Sequence, residues 1–215
     1  MFSFTVRLSQ NRHRPSRDLS CGSNKGRGLT SSLPFLYTSA SLTDMEEKTT
    51  LYVIATPIGN LEDISPRALR ILSEVDLVLC EDTRVTKKLL MHFGIKTSTM
   101  SYHSNSGLTK VDKILDMLES GKNLAMVSDA GTPSISDPGA RLVSKVQEEL
   151  GDSVSIIAVA GPSALTSALS VSGLPSSDFL FLGFLPHKKG RETLLNEVVE
   201  SKRTVVLYES PHRIM

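Results

Sequence analysis

Short runs of apolar residues alternate with amphipathic stretches from residue 51 onward. Residues 51–55 have the unbroken apolar character of a buried strand. Ser65 and Pro66 then predict the start of a helix, because serine caps helix N-termini and proline suits the first helical position. The same patterns predict strands over residues 76–80, 99–102, 124–127 and 154–159, and helices over residues 83–93, 108–119, 140–150 and 163–171. This alternation indicates an α/β domain with a mostly parallel sheet.

A second, smaller unit follows a segment of linker composition at residues 173–177. Strands are predicted over residues 179–184 and 204–208, with a helix over residues 192–200 between them. Two strands and one helix are too few for an independent domain. We therefore expect residues 174–215 to begin a second, truncated α/β domain, after a first α/β domain with the ligand loops at residues 49–173.

The N-terminal segment differs in composition from the rest of the chain. Residues 1–43 hold six basic residues and many serines, with Asp18 as the single acid. An Arg-rich, Ser-rich and acid-poor composition is typical of an organellar transit peptide, and an ordinary disordered basic tail is the alternative. We assign residues 1–48 to a disordered targeting segment that adds nothing to the fold. Its destination is a chloroplast or a mitochondrion, with the chloroplast preferred.

Without this leader the chain is mildly acidic, since residues 44–215 carry 18 basic and 22 acidic residues, a net charge of −4. That balance differs from the strongly basic signature of a dedicated nucleic-acid-binding domain. One cationic cluster, residues 187–191, can contact phosphates or form a solvated loop. No apolar run reaches membrane-spanning length, so no membrane partner is expected. Cys21 and Cys80 lack a CxxC partner, which argues against a disulfide framework and against a structural zinc site.

Three loops rich in glycine and proline follow predicted strands of the first domain, at residues 56–60, 129–139 and 160–164. In open α/β sheets, ligands bind at the carboxyl ends of the strands. Glycine allows the backbone to approach a ligand, and the amides at a helix N-terminus suit an anionic group. The loops fit neither GxxxxGK[ST] nor GxGxxG, so neither a P-loop nucleotidase nor a standard dinucleotide fold is supported.

Six motifs occur in order along the chain: LYVIATPIGN (51–60), CEDTR (80–84), VSDAGTPSISDPG (127–139), GPSA (161–164), GFLP (183–186) and YESPHR (208–213). Together they resemble the bacterial small-subunit ribosomal RNA cytidine 2'-O-ribose methyltransferases, a branch of the tetrapyrrole methylase superfamily. The resemblance implies two α/β domains, with S-adenosylmethionine held in the cleft between them. It also implies methylation of a cytidine ribose in 16S-type ribosomal RNA of the small subunit, and a homodimer.

The same resemblance implies which residues contact the cofactor, and they fall in the three glycine- and proline-rich loops. These positions are Pro57, Gly59, Asp129, Gly131, Thr132, Pro133, Gly161, Ser163 and Ala164. No metal ligand is expected.

Glu81, Asp82 and His103 are the candidate catalytic residues. A ribose hydroxyl is a poor nucleophile that gains from a nearby proton acceptor, and the two acids stand at a predicted strand end beside the expected cleft. Capping of the helix over residues 83–93 is an equal alternative for Glu81 and Asp82. His103 can instead be an ordinary loop histidine.

Two alternatives to a ribosomal RNA methyltransferase remain open. One is a tetrapyrrole or other small-molecule methylase, against which the motifs DAGTP and YESPHR argue. The other is a non-catalytic fragment that binds only the cofactor or a partner, because the second domain is expected to be incomplete.

Overall fold

The computed structural model describes residues 5–9, 48–103, 108–210 and 213, which form eight strands, six α-helices and two short 3-10 helices, Leu61–Asp63 and Gly151–Ser153. All of these residues belong to one unit. The strands are β1 (Thr5–Ser9), β2 (Thr49–Ile54), β3 (Leu77–Cys80), β4 (Thr99–Ser101), β5 (Leu124–Val127), β6 (Val154–Val159), β7 (Phe179–Phe184) and β8 (Thr204–Glu209). The helices are α1 (Pro66–Glu74), α2 (Thr83–His92), α3 (Leu108–Glu119), α4 (Gly139–Leu150), α5 (Ala164–Ser172) and α6 (Arg191–Glu200).

The larger sheet has five strands in the order β4-β3-β5-β2-β6, and every neighbouring pair is parallel. Its central strand β5 is buried along its whole length because helices cover both faces. Leu124 and Met126 pack with α3 and α4 on one face, whereas Ala125 and Val127 pack with α1 and α2 on the other. The predicted α/β fold with a mostly parallel sheet is therefore confirmed.

The predicted elements recur with small shifts at their ends. Ser65 caps α1 by accepting a hydrogen bond from the Ala68 N–H, as the Ser-Pro pair predicts. Cys80 is a buried free thiol at the end of β3. Ser163 stands at the N-cap position of α5, although its side chain makes no capping hydrogen bond. It lines the cavity described below instead.

A smaller sheet has the order β1-β8-β7. Strands β7 and β8 are parallel, and β1 runs antiparallel to β8 with Val6 opposite Tyr208. The composition of residues 1–48 predicts no element, whereas the structure has β1 there. The composition of the segment does not indicate this strand, because the strand is defined by its pairing with β8, which lies far away in the sequence. The rest of the predicted targeting segment, residues 1–4 and 10–47, lies outside the described residues.

Among the described residues, no helix is long and apolar enough to cross a bilayer.

Candidate functional site

Two of the glycine- and proline-rich loops are hydrogen-bonded to each other at the carboxyl edge of the larger sheet. The Thr56 N–H donates to the Gly131 carbonyl oxygen at 2.9 Å, and the Gly131 N–H donates back to the Thr56 carbonyl oxygen at 3.0 Å. The Thr56 hydroxyl also donates to the Ser128 carbonyl oxygen at 3.0 Å. The end of β2 and the segment after β5 are thus fixed as one surface.

The third loop joins this surface through one hydrogen bond and one close backbone contact. The Thr132 hydroxyl donates to the Pro162 carbonyl oxygen at 3.1 Å. A Cβ added at Gly161 would lie 3.0 Å from the Ala55 Cβ, so the loop after β6 comes close to the end of β2 only because residue 161 is glycine. Three segments far apart in sequence therefore form one continuous wall.

This wall encloses a cavity of about 220 Å³. Its lining also includes two aromatic residues of the smaller sheet, Phe184 and Tyr208, whose ring centroids are 5.3 Å apart. Six of the residues predicted from the sequence line it: Glu81, Asp129, Gly131, Thr132, Ser163 and Ala164.

Four predicted cofactor residues do not line the cavity but shape the loops around it. Gly161 sets the approach of its loop to Ala55, and Pro133 lines a smaller cavity of about 10 Å³ that shares Glu81 with the larger one. Pro57 and Gly59 flank Ile58, which does line the larger cavity.

Sequence reasoning missed eight residues of the lining. All eight belong to the motifs quoted above, so the motifs carried the signal, although hydrophobic periodicity alone does not distinguish these residues. They are Ile58, Ser128, Ala130, Ile135, Ser136, Asp137, Phe184 and Tyr208.

Three carboxyl groups face this cavity, and burial raises the pKa of each. Glu81 is the most affected: burial, together with the negative charges of Asp137 and Asp129, raises its pKa to about 7. Burial likewise raises the pKa values of Asp129 and Asp137. Asp129 accepts a hydrogen bond from the Asp82 N–H at 3.1 Å, and Asp137 accepts one from the Gly139 N–H at 2.6 Å. Glu81 is therefore a carboxyl group that can gain or lose a proton near neutral pH.

Asp82 has a different environment from its neighbour Glu81. It caps α2 by accepting from the Arg84 N–H at 2.8 Å, and its carboxylate pairs with the Arg84 guanidinium at 2.6 Å. The hydrogen bonds from Arg84 lower the Asp82 pKa to about 2. The capping alternative thus describes Asp82, whereas Glu81 faces the cavity. His103 is exposed and not part of the lining, but its charge acts to lower the Asp129 pKa.

The loop after β5 has an unusual backbone. Ser134 and Ser136 adopt φ angles of 71° and 62°, a left-handed conformation that is costly for residues with a Cβ. A Cβ added at Gly183 of β7 would lie 2.8 Å from the Ser136 hydroxyl oxygen. The smaller sheet therefore packs directly against the strained part of this loop.

The structure thus has an α/β fold whose carboxyl-edge loops surround an acidic cavity, and the sequence matches the family of tetrapyrrole (corrin/porphyrin) methylases over residues 50–215. The chain belongs to this family. It is similar to proteins named ribosomal RNA small subunit methyltransferase I. The one from Thermotoga maritima is 48% identical over 77% of this chain and 73% of its own length. That from Halalkalibacterium halodurans is 47% identical over 82% of this chain.

The chain spans 61% of the Halalkalibacterium halodurans protein and 58% of a Pseudomonas aeruginosa relative that is 50% identical to it. A crystal structure of diphthine synthase shares the fold, with a TM-score of 0.58 at 14% identity over 77% of this chain and 66% of that one.

Proposed function

We propose that this chain is the cofactor-binding part of an S-adenosylmethionine-dependent methyltransferase that acts on a cytidine 2'-hydroxyl of small-subunit ribosomal RNA. One observation carries the proposal: three hydrogen-bonded loops enclose a cavity into which Glu81, a carboxyl group with a pKa of about 7, faces. The names of the similar bacterial proteins support ribosomal RNA as the substrate.

The chemistry of the cavity fits a positively charged cofactor. S-adenosylmethionine supplies a methyl group on a cationic sulfur, and carboxylates stabilise a nearby cation. Glu81, Asp129 and Asp137 all line the cavity. Gly131, with a φ of 85°, lets the backbone turn beside the bound molecule at a position where other residues are strained.

We assign direct cofactor contacts to the five lining residues that the resemblance also implies. The other four predicted positions act on the shape of the loops. The direct contacts are Asp129, Gly131, Thr132, Ser163 and Ala164, and the supporting positions are Pro57, Gly59, Pro133 and Gly161.

We assign to Glu81 the role of proton acceptor for the ribose hydroxyl. A base works best when its pKa lies near the working pH, because it is then ionised and still basic enough to take the proton. Glu81 meets this condition, whereas Asp82, with a pKa of about 2 and an ion pair to Arg84, is a much weaker base. The Glu81 carboxylate would take the hydroxyl proton, and S-adenosylmethionine, when bound, would supply the methyl group to the ribose oxygen and leave as the neutral thioether S-adenosylhomocysteine. His103 remains a second candidate, since it lies near Asp129.

Transfer of a labelled methyl group tests the substrate. The protein is incubated with methyl-labelled S-adenosylmethionine and either small-subunit ribosomal RNA or a porphyrinoid. We expect label in the RNA, and digestion to nucleosides should place it on a cytidine ribose. Label in the porphyrinoid alone would show that the protein is a small-molecule methylase.

Cofactor binding is tested apart from catalysis because the chain spans only part of its relatives' length. Calorimetry with S-adenosylmethionine should show binding that Asp129→Ala weakens. Binding without any methyl transfer to RNA would support the alternative of a non-catalytic cofactor-binding protein. A folded protein with no detectable binding would refute the cofactor assignment.

We further propose that residues 1–48 direct the protein to an organelle, with the chloroplast preferred, and that two copies pair. The Arg- and Ser-rich composition of the leader supports the first proposal. We also propose that residues 49–173 and 174–215 belong to two different domains. Imaging of the leader fused to a fluorescent protein tests the destination, and a cytosolic signal would refute it. Analytical ultracentrifugation measures the oligomeric state and tests the pairing of two copies, which a monomer would refute.

A further inference from the structure

Glu209 is a buried carboxylate that holds two arginines at the end of β8. Only 2% of its side chain is exposed; it accepts a hydrogen bond from Arg191 at 2.9 Å and forms an ion pair with Arg213 at 2.7 Å. The Ser210 N–H donates to it as well, at 2.8 Å. Burial acts to raise the pKa of Glu209, but the hydrogen bonds from Ser210 and Arg191, with the positive charges of Arg213 and Arg191, outweigh burial and lower it. The carboxylate is therefore ionised, and it neutralises one of the two guanidinium charges.

The two arginines also bind the backbone that leaves β7. Arg191 donates to the Pro186 carbonyl oxygen at 3.4 Å, and Arg213 donates to the Leu185 carbonyl oxygen at 3.3 Å. Glu209 thus fixes both ends of the segment between β7 and α6 to the end of β8. The two ends of this segment are therefore held by hydrogen bonds and ion pairs, whereas residues 187–190 between them are exposed.

We call residues 187–191 the basic loop, because its tip carries exposed cationic side chains. Lys188 and Lys189 are exposed, and so is His187. Gly190 turns the chain into α6 with a φ of 85°. The Arg191 and Arg213 side chains, at 29% and 25% exposed, keep part of their surface in contact with solvent. This positive surface contrasts with the net charge of −4 over residues 44–215.

The basic loop and its anchor Glu209 each follow a cavity-lining residue closely in the sequence. Phe184, which lines the cavity, precedes the loop by three residues. Glu209 directly follows Tyr208, the second aromatic residue of the lining. The cavity lining and the positive surface are therefore built from neighbouring residues at the ends of β7 and β8.

We propose that the basic loop and Arg213 bind the phosphodiester backbone of the RNA substrate, and that Glu209 is the positioning residue that holds this surface beside the cavity. The proposal rests on the proposed function. Lysines neutralise phosphates as point charges, and a planar guanidinium can donate two hydrogen bonds to one phosphate. Such contacts set the position of a nucleic acid without reading its sequence.

The test measures RNA binding without catalysis. Fluorescence anisotropy follows a labelled stem-loop of small-subunit ribosomal RNA at several salt concentrations. We expect K188A/K189A to weaken binding and to reduce the slope of log K against log salt by about 1 for each lysine. The matched control is K202A/R203A, which removes the same charge from exposed positions at the other end of β8. That site is about 20 Å away along the strand, at about 3.3 Å per residue.

A substitution at Glu209 distinguishes its role in holding the two arginines from its effect on the net charge of the surface. Glu209→Gln makes the surface more positive, so a purely electrostatic role predicts tighter RNA binding. The positioning role predicts weaker binding instead, because the arginines lose their anchor. Circular dichroism shows whether the variant is folded. If it is not, Arg213→Lys, which keeps the charge but loses the forked contact, takes its place, and it should weaken RNA binding.

The outcomes distinguish this inference from the proposed function. RNA binding by the wild-type chain that K188A/K189A leaves unchanged, in affinity and in salt slope, overturns the basic-loop proposal alone. A wild-type chain that binds cofactor but no RNA overturns both. Equal losses in K188A/K189A and K202A/R203A would show that net charge, not this surface, sets the affinity, and would also overturn the proposal.

Discussion

Gly161 lies against Ala55 so closely that a Cβ added to the glycine would be 3.0 Å from the Ala55 Cβ and 3.4 Å from the Ala55 carbonyl oxygen. These two residues connect the loop after β6 to the end of β2. Because these atoms of Ala55 leave no space beside Gly161, even a single added methyl group should shift the loop.

Gly161→Ala should therefore displace the third loop from the cavity wall. We expect a loss of about 1 to 3 kcal/mol in the free energy of unfolding, the usual cost of overpacking. We also expect weaker S-adenosylmethionine binding, because Ser163 and Ala164 move with the loop. Chemical denaturation and calorimetry measure the two effects. The double variant A55G/G161A should recover part of both, and a double variant no better than the single one would contradict the steric explanation.

The raised pKa of Glu81 predicts a pH-dependent rate. If Glu81 accepts the hydroxyl proton, the single-turnover rate of RNA methylation should increase with pH through about 7, because the carboxylate must be ionised. Glu81→Gln should lower the rate by roughly 100-fold or more, the usual contribution of a general base. The matched control is Glu119→Gln, at an exposed position at the end of α3. Wild-type activity in Glu81→Gln would exclude Glu81 as the base and favour His103.

The raised pKa of Glu81 also predicts that the stability of the fold decreases with pH over the range in which the methylation rate should increase. Glu81 has a higher pKa in the folded state than its ordinary value of 4.5, so folding favours its protonated form and stability falls as pH rises from about 4.5 to about 7. Glu81→Gln should leave stability unchanged near pH 4.5 and increase it above pH 7. The full shift corresponds to about 3 kcal/mol, which solvent screening at this half-buried position reduces to roughly 1 kcal/mol. Urea denaturation at the two pH values checks this, and a destabilised variant at high pH would contradict it.

The contact between β7 and the strained loop predicts that two similar glycines differ in function. Gly183 and Gly173 have φ angles of 63° and 67°, so alanine is strained at both by about 1 kcal/mol. A Cβ at Gly183 also meets the Ser136 hydroxyl oxygen at 2.8 Å, whereas nothing lies within 4 Å of one at Gly173. Gly183→Ala should therefore weaken cofactor binding in calorimetry, and Gly173→Ala should not. Equal affinities would show that the loop tolerates displacement by β7.

Much of the fold could be predicted because its signals are local. Ser65 and Pro66 marked the start of α1, and the apolar run over residues 124–127 indicated the strand β5. The site was harder because its geometry depends on packing between distant segments. Glu81 and Asp82 are adjacent acids at one strand end, and only the structure separates the one facing the cavity from the one capping α2. Phe184 and Tyr208 reach the cavity because the smaller sheet packs against the loop after β5, which no periodicity in either segment indicates.

The pairing of β1 with β8 has a consequence for aggregation. An uncovered strand edge invites other chains to add to it, and this is a common route to aggregation. Here five residues of the proposed targeting segment, Thr5–Ser9, cover the β8 edge by antiparallel pairing. Residues 5–9 thus protect the β8 edge from pairing with another chain. A variant that lacks them should be more prone to aggregation, because that edge would be uncovered.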